Sequence, residues 1–168
     1  MIDEFYEQLI VKNNKKRKIL VYALIGIIGL GLLLYGPLFF GPGILPVIII
    51  VVALVYFFTA KTVNIEYEYS MLNSELQVDV IYNKERRKHL FTVDVRKAEI
   101  IAGCDNDRLS SFKVEKVIDV SSGTSGEKEY SMMVNINGRL CNVIIEPDDK
   151  IKQQLKNWSG SRFVEKNQ

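Results

Sequence analysis

The sequence predicts a helical hairpin long enough to cross a membrane twice, followed by a mostly β domain that ends in a helix. Three observations support this prediction. No charged residue occurs between Lys18 and Lys61, residues after Lys61 alternate between apolar and polar types, and helical spacing returns near residue 150. We therefore expect four segments: a leader at 1–18, the hairpin at 19–61, a β-rich domain at 62–160 and a tail at 161–168. We also expect the region from about Val63 onward to fold by itself.

Charge is concentrated in the leader. The chain of 168 residues carries a formal net charge of +2, and acidic and basic residues cancel from Lys61 onward. The excess of cations before the first helix comes from Lys12, Lys15, Lys16, Arg17 and Lys18. A balanced β domain argues against a nucleic-acid surface, so no nucleic-acid partner is expected.

The uncharged stretch is about twice the roughly 20 residues that one crossing of a bilayer needs. Turn-forming residues interrupt it at Gly36-Pro37 and again at Gly41-Pro42-Gly43, because proline removes a backbone donor and glycine permits a bend. We place the two helices at 19–35 and 45–60. Gly26, Gly29 and Gly31 in the first helix could let another helix approach closely, which leaves oligomerisation open.

The N-terminal region does not have the pattern of a cleaved signal peptide. Such a peptide has an apolar core of about 7–15 residues followed by a small-residue cleavage site, whereas here the apolar stretch is longer and Gly36-Pro37 follows it. Cations precede the first helix, and none lies in the hairpin loop. The positive-inside rule then predicts a multi-pass protein of the cell membrane with both termini in the cytoplasm.

Two further expectations concern the leader and the cysteines. Ile2, Phe5, Leu9 and their apolar neighbours fit an amphipathic helix at the membrane interface, and equally a disordered leader or one packed on the domain. Cys104 and Cys141 are expected to be reduced core thiols without a disulfide, since the cytoplasm is a reducing compartment.

The β domain is predicted from runs of alternating residues separated by turn signals. Asn137-Gly138 is a strong hairpin signal, and after Asp148-Asp149 the residues Ile151, Leu155 and Trp158 form a helical stripe that Gly160 ends. The expected strands lie at 63–69, 76–82, 90–93, 98–102, 112–120, 130–136 and 140–145. About seven antiparallel strands with a C-terminal helix is the order of elements in the pleckstrin-homology-like fold, a bent sandwich or partial barrel.

Several segments also resemble a known family. They are Glu66–Tyr69, Asn73–Leu76, Lys84–Lys88 and Thr92–Val95, together with the leader and the helical pair. They resemble small, uncharacterised two-helix membrane proteins of clostridia-type Gram-positive bacteria and, more distantly, bacterial pleckstrin-homology-like domains that follow a pair of membrane helices. The resemblance implies a bacterial membrane protein and supplies no activity.

We find no pattern typical of catalysis, cofactor binding or metal binding. His89 is the only histidine and has no cysteine or carboxylate at ligand spacing, so we interpret it as a strand-edge residue. Gly123–Lys128 lacks the spacing of a phosphate-binding loop, Asp105–Asp107 lacks the ligands of a calcium loop, and Asp148-Asp149 fits a helix start. We therefore expect no enzyme, no cofactor and no metal site.

One basic cluster is the candidate binding site. Lys84, Arg86, Arg87 and Lys88 lie in a predicted turn at 83–87, offset only by Glu85. Each cation near an anionic surface contributes about 1 kcal/mol, and the pleckstrin-homology-like resemblance implies phospholipid recognition by such a loop. The alternative is a solvated hairpin whose charges protect a strand edge.

These expectations leave two classes of function. The first is a non-catalytic binding or adaptor module whose partners are the lipid bilayer, anionic lipid headgroups or a membrane protein. The second is an accessory subunit of a membrane enzyme or transporter complex. We rank the first higher, because neither helix offers a charged residue for chemistry within the membrane.

Overall fold

The computed structural model describes residues 5–124 and 126–165. The chain forms two compact units: a helical unit of Asn14–Ile65 together with Tyr82–Glu85, and a β unit that contains nearly all of the strands and the third helix. The strands before and after the helices belong to the same β unit. The helical hairpin is therefore an insertion between two parts of one folded domain.

The helical unit consists of α1 (Lys15–Phe40) and α2 (Leu45–Val63). Lys18–Phe40 of α1 is long and apolar enough to cross a membrane, and so is Pro42–Thr59, which combines the short 3₁₀ helix Pro42–Ile44 with most of α2; their mean hydropathies are 2.4 and 2.5. The expected break at Gly36-Pro37 is wrong, because α1 continues past it. Pro37 lies in the last turn, where it removes only one hydrogen bond, and the helix ends at Gly41, whose φ of +79° suits glycine.

Two glycines set the close approach of the helices. A Cβ atom built on Gly29 would lie 3.3 Å from Val52 Cγ2, and one on Gly36 would lie 2.7 Å from Ile48 Cδ1. Gly26 and Gly31 have no such neighbour within 4 Å. Of the three glycines expected to favour close helix contact, only Gly29 lies at the contact between α1 and α2. Gly36, two turns later in α1, lies at the same contact.

The first sheet contains four strands in the order β1-β2-β3-β4. Their bounds are Phe5–Val11, Ile65–Leu72, Glu75–Tyr82 and Arg86–Asp94. The interpretation of the leader as an amphipathic helix is wrong, because β1 pairs antiparallel with β2 from Phe5↔Leu72 to Val11↔Glu66. The alternative of a leader packed on the domain is confirmed for these residues, and Ile2 lies outside the described part of the chain.

The second sheet contains β5 to β9 in the order β6-β8-β7-β5-β9. Their bounds are Ile100–Gly103, Lys116–Asp119, Tyr130–Ile136, Arg139–Ile145 and Phe163–Val164. The expectation of purely antiparallel strands is wrong for two pairs, since β6–β8 and β5–β9 are parallel. The described residues form nine strands, two more than expected.

The two additional strands lie where alternation could not reveal them. β1 occupies the leader, and β9 occupies the segment expected to be a tail. Phe163 of β9 is buried, and its ring stacks on Tyr130 with centroids 5.4 Å apart. The tail expectation is therefore wrong for Phe163–Val164, which complete the edge of the second sheet.

The helix α3 (Asp149–Ser159) begins and ends as the sequence predicts. Asp148 caps it by accepting a hydrogen bond from the Ile151 amide at 2.9 Å, and Gly160 follows with a φ of +58°. Ile151 and Leu155 are fully buried, but Trp158 is 37% exposed. The third member of the expected docking stripe is thus only partly in contact with the core.

One core joins the two sheets. Tyr69 of β2 is fully buried; its hydroxyl donates to the Val120 carbonyl at 2.8 Å and accepts from the Glu146 amide at 3.2 Å. Burial raises the pKa of this phenol above its ordinary value. Cys104 and Cys141 do not form a disulfide with each other. Cys141 is in the core as expected, whereas Cys104 is exposed after the end of β5, which corrects that prediction.

Candidate functional site

The four predicted site cations do not share one turn. The turn is formed by residues 83–85, and β4 already begins at Arg86. Lys84 alone lies in the turn, whereas Arg86, Arg87 and Lys88 are the first, exposed residues of the strand. Because successive side chains of a strand point to opposite faces, the structure separates Arg87 from Arg86 and Lys88.

The turn has an unusual backbone for a lysine. Asn83 and Lys84 have φ values of +53° and +60°, and the Glu85 amide donates to the Tyr82 carbonyl at 3.1 Å. These are the features of a type I′ turn, which favours Asn followed by Gly. The left-handed conformation disfavours a side chain by roughly 1–2 kcal/mol, so Lys84 occupies a position that glycine would fill more easily.

This turn is hydrogen-bonded to the end of the helix pair. The Asn83 amide donates to the carbonyl of Asn64, the C-cap of α2, at 2.8 Å. Lys18 in the first turn of α1 donates from Nζ to Asn64 Oδ1 at 2.6 Å. Lys84 thus lies at the same end of the helical unit as the lysines that begin α1. We call Lys15, Lys16, Lys18 and Lys84 the basic collar.

Arg87 is held by a buried carboxylate. Its Nη2 atom lies 2.8 Å from Oε1 and 2.6 Å from Oε2 of Glu68 on β2. Glu68 is only 5% exposed, whereas the Arg87 side chain is 57% exposed. The guanidinium therefore covers the carboxylate from the solvent side and neutralises its charge.

His89 also has a carboxylate partner, which the sequence spacing did not reveal. Its Nδ1 atom lies 2.9 Å from Oδ1 of Asp79, a residue that is 4% exposed on β3. Gln77 donates to both oxygens of the same carboxylate at 3.2 and 3.1 Å. His89 lies on the edge strand β4, as expected, and the arrangement orients its imidazole on the sheet.

The two buried acids face each other across neighbouring strands. The two-residue turn Asn73-Ser74 pairs Leu72 with Glu75, and counting back along β2 and β3 puts Glu68 opposite Asp79. Like charges in that position repel. Arg87 supplies a compensating positive charge to Glu68, and His89 supplies a hydrogen-bond partner to Asp79. This hairpin register is the signal that could have identified the cluster from the sequence.

The other segments considered in the sequence have structural roles. In residues 122–124, three backbone amides donate internally: Ser122 to Glu146 Oε2, Gly123 to Ser121 Oγ and Thr124 to Ser122 Oγ, at 3.0 to 3.2 Å. These donors are not available to a phosphate. Asn106 caps a short 3₁₀ helix through the Arg108 amide. Within residues 5–124 and 126–165, no group of three or more potential ligands could hold a metal.

The helical unit also carries an apolar groove of about 690 Å³ between α1 and α2. Its walls include Gly26 and Leu33 of α1 and Ile49 and Tyr56 of α2. A groove of this composition can accept a hydrocarbon chain or the side chains of another apolar helix, and it provides no group for chemistry.

Comparison with known proteins identifies one family. A family model described as "Bacterial PH-like domain (DUF6106)" matches residues 2–165. The match confirms the bacterial pleckstrin-homology-like resemblance and its fold, and the narrower clostridial resemblance stays a prediction. No curated protein and no solved structure matches the chain.

Proposed function

The chain belongs to the family of bacterial PH-like domains, and from this premise we propose that it is a membrane-anchored, non-catalytic module that binds anionic lipid headgroups through the basic collar. PH-like domains are generally non-catalytic. The β unit would be the folded platform, and α1 and α2 would be its anchor in the cell membrane.

Three features support the anchor and its orientation. Both helices are long and apolar enough to cross a bilayer, and β1 before them pairs with β2 after them. Strands that pair with each other must lie on the same side of a membrane. The chain between them must therefore cross the membrane an even number of times, as two helices do. The lysines that begin α1, against an uncharged Gly41–Ile44 loop, favour the cytoplasmic side for both termini.

The hydrogen bond between Asn83 and Asn64 is the observation that carries the lipid proposal. It ties the Lys84 turn to the end of α2, where a crossing helix would leave the bilayer. Lys84 would then be held at the headgroup level without any movement of the β unit. A cation near an anionic surface contributes about 1 kcal/mol, and the tether keeps the local lipid concentration high.

The test uses the full chain extracted from vesicles that contain equal amounts of phosphatidylglycerol and phosphatidylcholine. Native mass spectrometry then counts the lipids that each protein molecule retains. We expect preferential retention of phosphatidylglycerol, and about a five-fold loss of that preference in Lys84→Gln, which corresponds to the loss of one cation.

Lys113→Gln is the matched control, because Lys113 is an exposed lysine of the β unit outside the collar. It should retain lipids like the parent. Equal retention of the two lipids by the parent chain, or equal losses in the two variants, would contradict the lipid proposal.

The groove between α1 and α2 supports the second candidate function, an accessory subunit of a membrane enzyme or transporter complex. Its apolar walls suit a transmembrane helix of a partner, since membrane helices associate by close packing. A photo-crosslinking residue at Leu33 in the native membrane would test this idea. Crosslinks to lipid alone would argue against it.

A further inference from the structure

We propose that Glu68 withholds Arg87 from anionic headgroups, so that Arg87 takes part in lipid contact only when the Glu68 charge is removed or displaced. The inference rests on the proposed lipid binding and adds a restraint built into the sheet. It concerns one of the four cations that the sequence groups into a single site.

The geometry supports a restraint because the pair is asymmetric in burial. The Glu68 carboxylate is buried while Arg87 is mostly exposed, and one nitrogen lies within 2.8 Å of both carboxylate oxygens. Breaking a buried ion pair leaves an uncompensated buried charge, which is strongly unfavourable. An exposed phosphodiester carries one negative charge, as Glu68 does, and so offers Arg87 no evident gain.

The neighbouring acid strengthens the restraint. Asp79 faces Glu68 across β2 and β3 and is itself buried. If Arg87 moved away, Glu68 would lose its arginine partner. Among the described residues, the only partners left near the two opposed carboxylates would be His89 and Gln77, which contact Asp79. Arg87 therefore neutralises a position where the local charge is negative, and it does not extend the basic surface.

The cations beside Arg87 lack this restraint as far as the described contacts show. Strand alternation directs Arg86 and Lys88 to the face opposite Arg87, and both side chains are exposed. No ion pair involves either of them within the described residues. The lipid contact of the resting chain is thus assigned to a smaller set of cations than the sequence suggests.

The experiment measures lipid retention of the full chain as above in Glu68→Gln, Arg87→Gln and the double variant. We expect Glu68→Gln to raise the preference for phosphatidylglycerol about five-fold, the effect of one released cation, and the double variant to return to the level of Arg87→Gln. Arg87→Gln alone should lower the preference less than Arg86→Gln does.

Glu99→Gln is the control for net charge. It removes one negative charge from an exposed side chain of the β unit that has no ion pair within the described residues. A similar increase in Glu99→Gln and Glu68→Gln would overturn the inference, because the effect would then be one of net charge. A loss in Arg87→Gln as large as in Lys84→Gln would also overturn it, and this comparison stands even if Glu68→Gln does not fold.

The outcomes separate this inference from the proposed function. If Lys84→Gln lowers the lipid preference while Glu68→Gln leaves it unchanged, only the restraint fails. If Lys84→Gln has no effect, the proposed function fails and the restraint with it.

Discussion

Lys84 combines an unfavourable backbone with a well-defined position. Its φ of +60° is one that glycine adopts freely and lysine does not, and its turn is bonded to the C-cap of α2. Folding stability favours glycine at this position, whereas the lipid contact proposed above requires a cation.

Lys84→Gly should stabilise the chain by about 1 kcal/mol, because it relieves the left-handed strain, while it weakens retention of phosphatidylglycerol. Thermal unfolding in detergent and native mass spectrometry measure the two effects. Lys84→Ala is the control, since it removes the cation without relieving the strain. A lower melting temperature in the glycine variant would contradict the interpretation of the turn.

The lowered pKa of Asp119 predicts that the folding stability of the chain depends on pH. Burial raises the pKa of its carboxyl, but hydrogen bonds from Lys12 and Ser121 outweigh burial and hold the pKa below its ordinary value. A lowered folded-state pKa adds stability that is present above the unfolded value, near 4, and is lost as the pH falls through the folded value.

Unfolding measured between about pH 6 and pH 3 should therefore show a steeper loss of stability in the parent chain than in Asp119→Asn, which has no proton to bind there. Ser122, whose carbonyl accepts from the Asn13 amide, supports the same contact at all pH values. Parallel curves for the two proteins would show that Asp119 does not contribute to the acid sensitivity.

At the scale of elements, prediction succeeds where local chemistry decides the structure. Asn137 and Gly138 both adopt positive φ and join β7 to β8 in the register Ile136↔Arg139, as a type I′ hairpin requires. The start of α3 likewise follows from Asp148 and its hydrogen bond to the helix. These signals are contained within a few residues.

Prediction fails where a remote partner decides the structure. Tyr6 and Ile10 fit helical spacing. They nevertheless belong to a strand, β1, because β1 pairs with β2, and from this strand they pack against the core. The two residues of β9 are too few to show alternation. The grouping of Arg87 with the turn is wrong for the same reason, since Glu68 and Arg87 are 19 residues apart and only the pairing of strands brings them together.

The docking of α3 gives a graded prediction. Leu155→Ala should destabilise the chain by about 2–5 kcal/mol, because it leaves a cavity in a fully buried position. Trp158→Ala should have a smaller effect, since that side chain is 37% exposed. Denaturant unfolding of the two variants measures the difference, and equal losses would mean that Trp158 contributes more to packing than its exposure indicates.

For the whole molecule, the membership of β1 in the first sheet redefines the folding unit. A fragment that begins at residue 62 lacks the strand that covers β2, and with it the buried Ile10 side chain. The expectation that the region from about Val63 onward folds by itself stays a prediction, and the position of β1 outside that region argues against it.

We predict that a soluble fragment of residues 62–165 is unstable, and that joining residues 5–13 to residue 65 by a short flexible linker restores cooperative unfolding. The linker replaces the helical hairpin without changing the β1–β2 register. Circular dichroism and thermal unfolding compare the two fragments. A fragment without β1 that unfolds as cooperatively as the linked one would show that β1 is dispensable.

The insertion of the hairpin between paired strands also has a consequence in time. Val11 is synthesised 55 residues before its partner Glu66, a delay of roughly 3–11 s at about 5–20 residues per second. During that interval the ribosome synthesises both apolar helices, and β1 has no β2 strand to pair with. Synthesis is therefore ordered: β1 is made first, the two apolar helices follow, and β1 can pair with β2 only after the whole hairpin has been made.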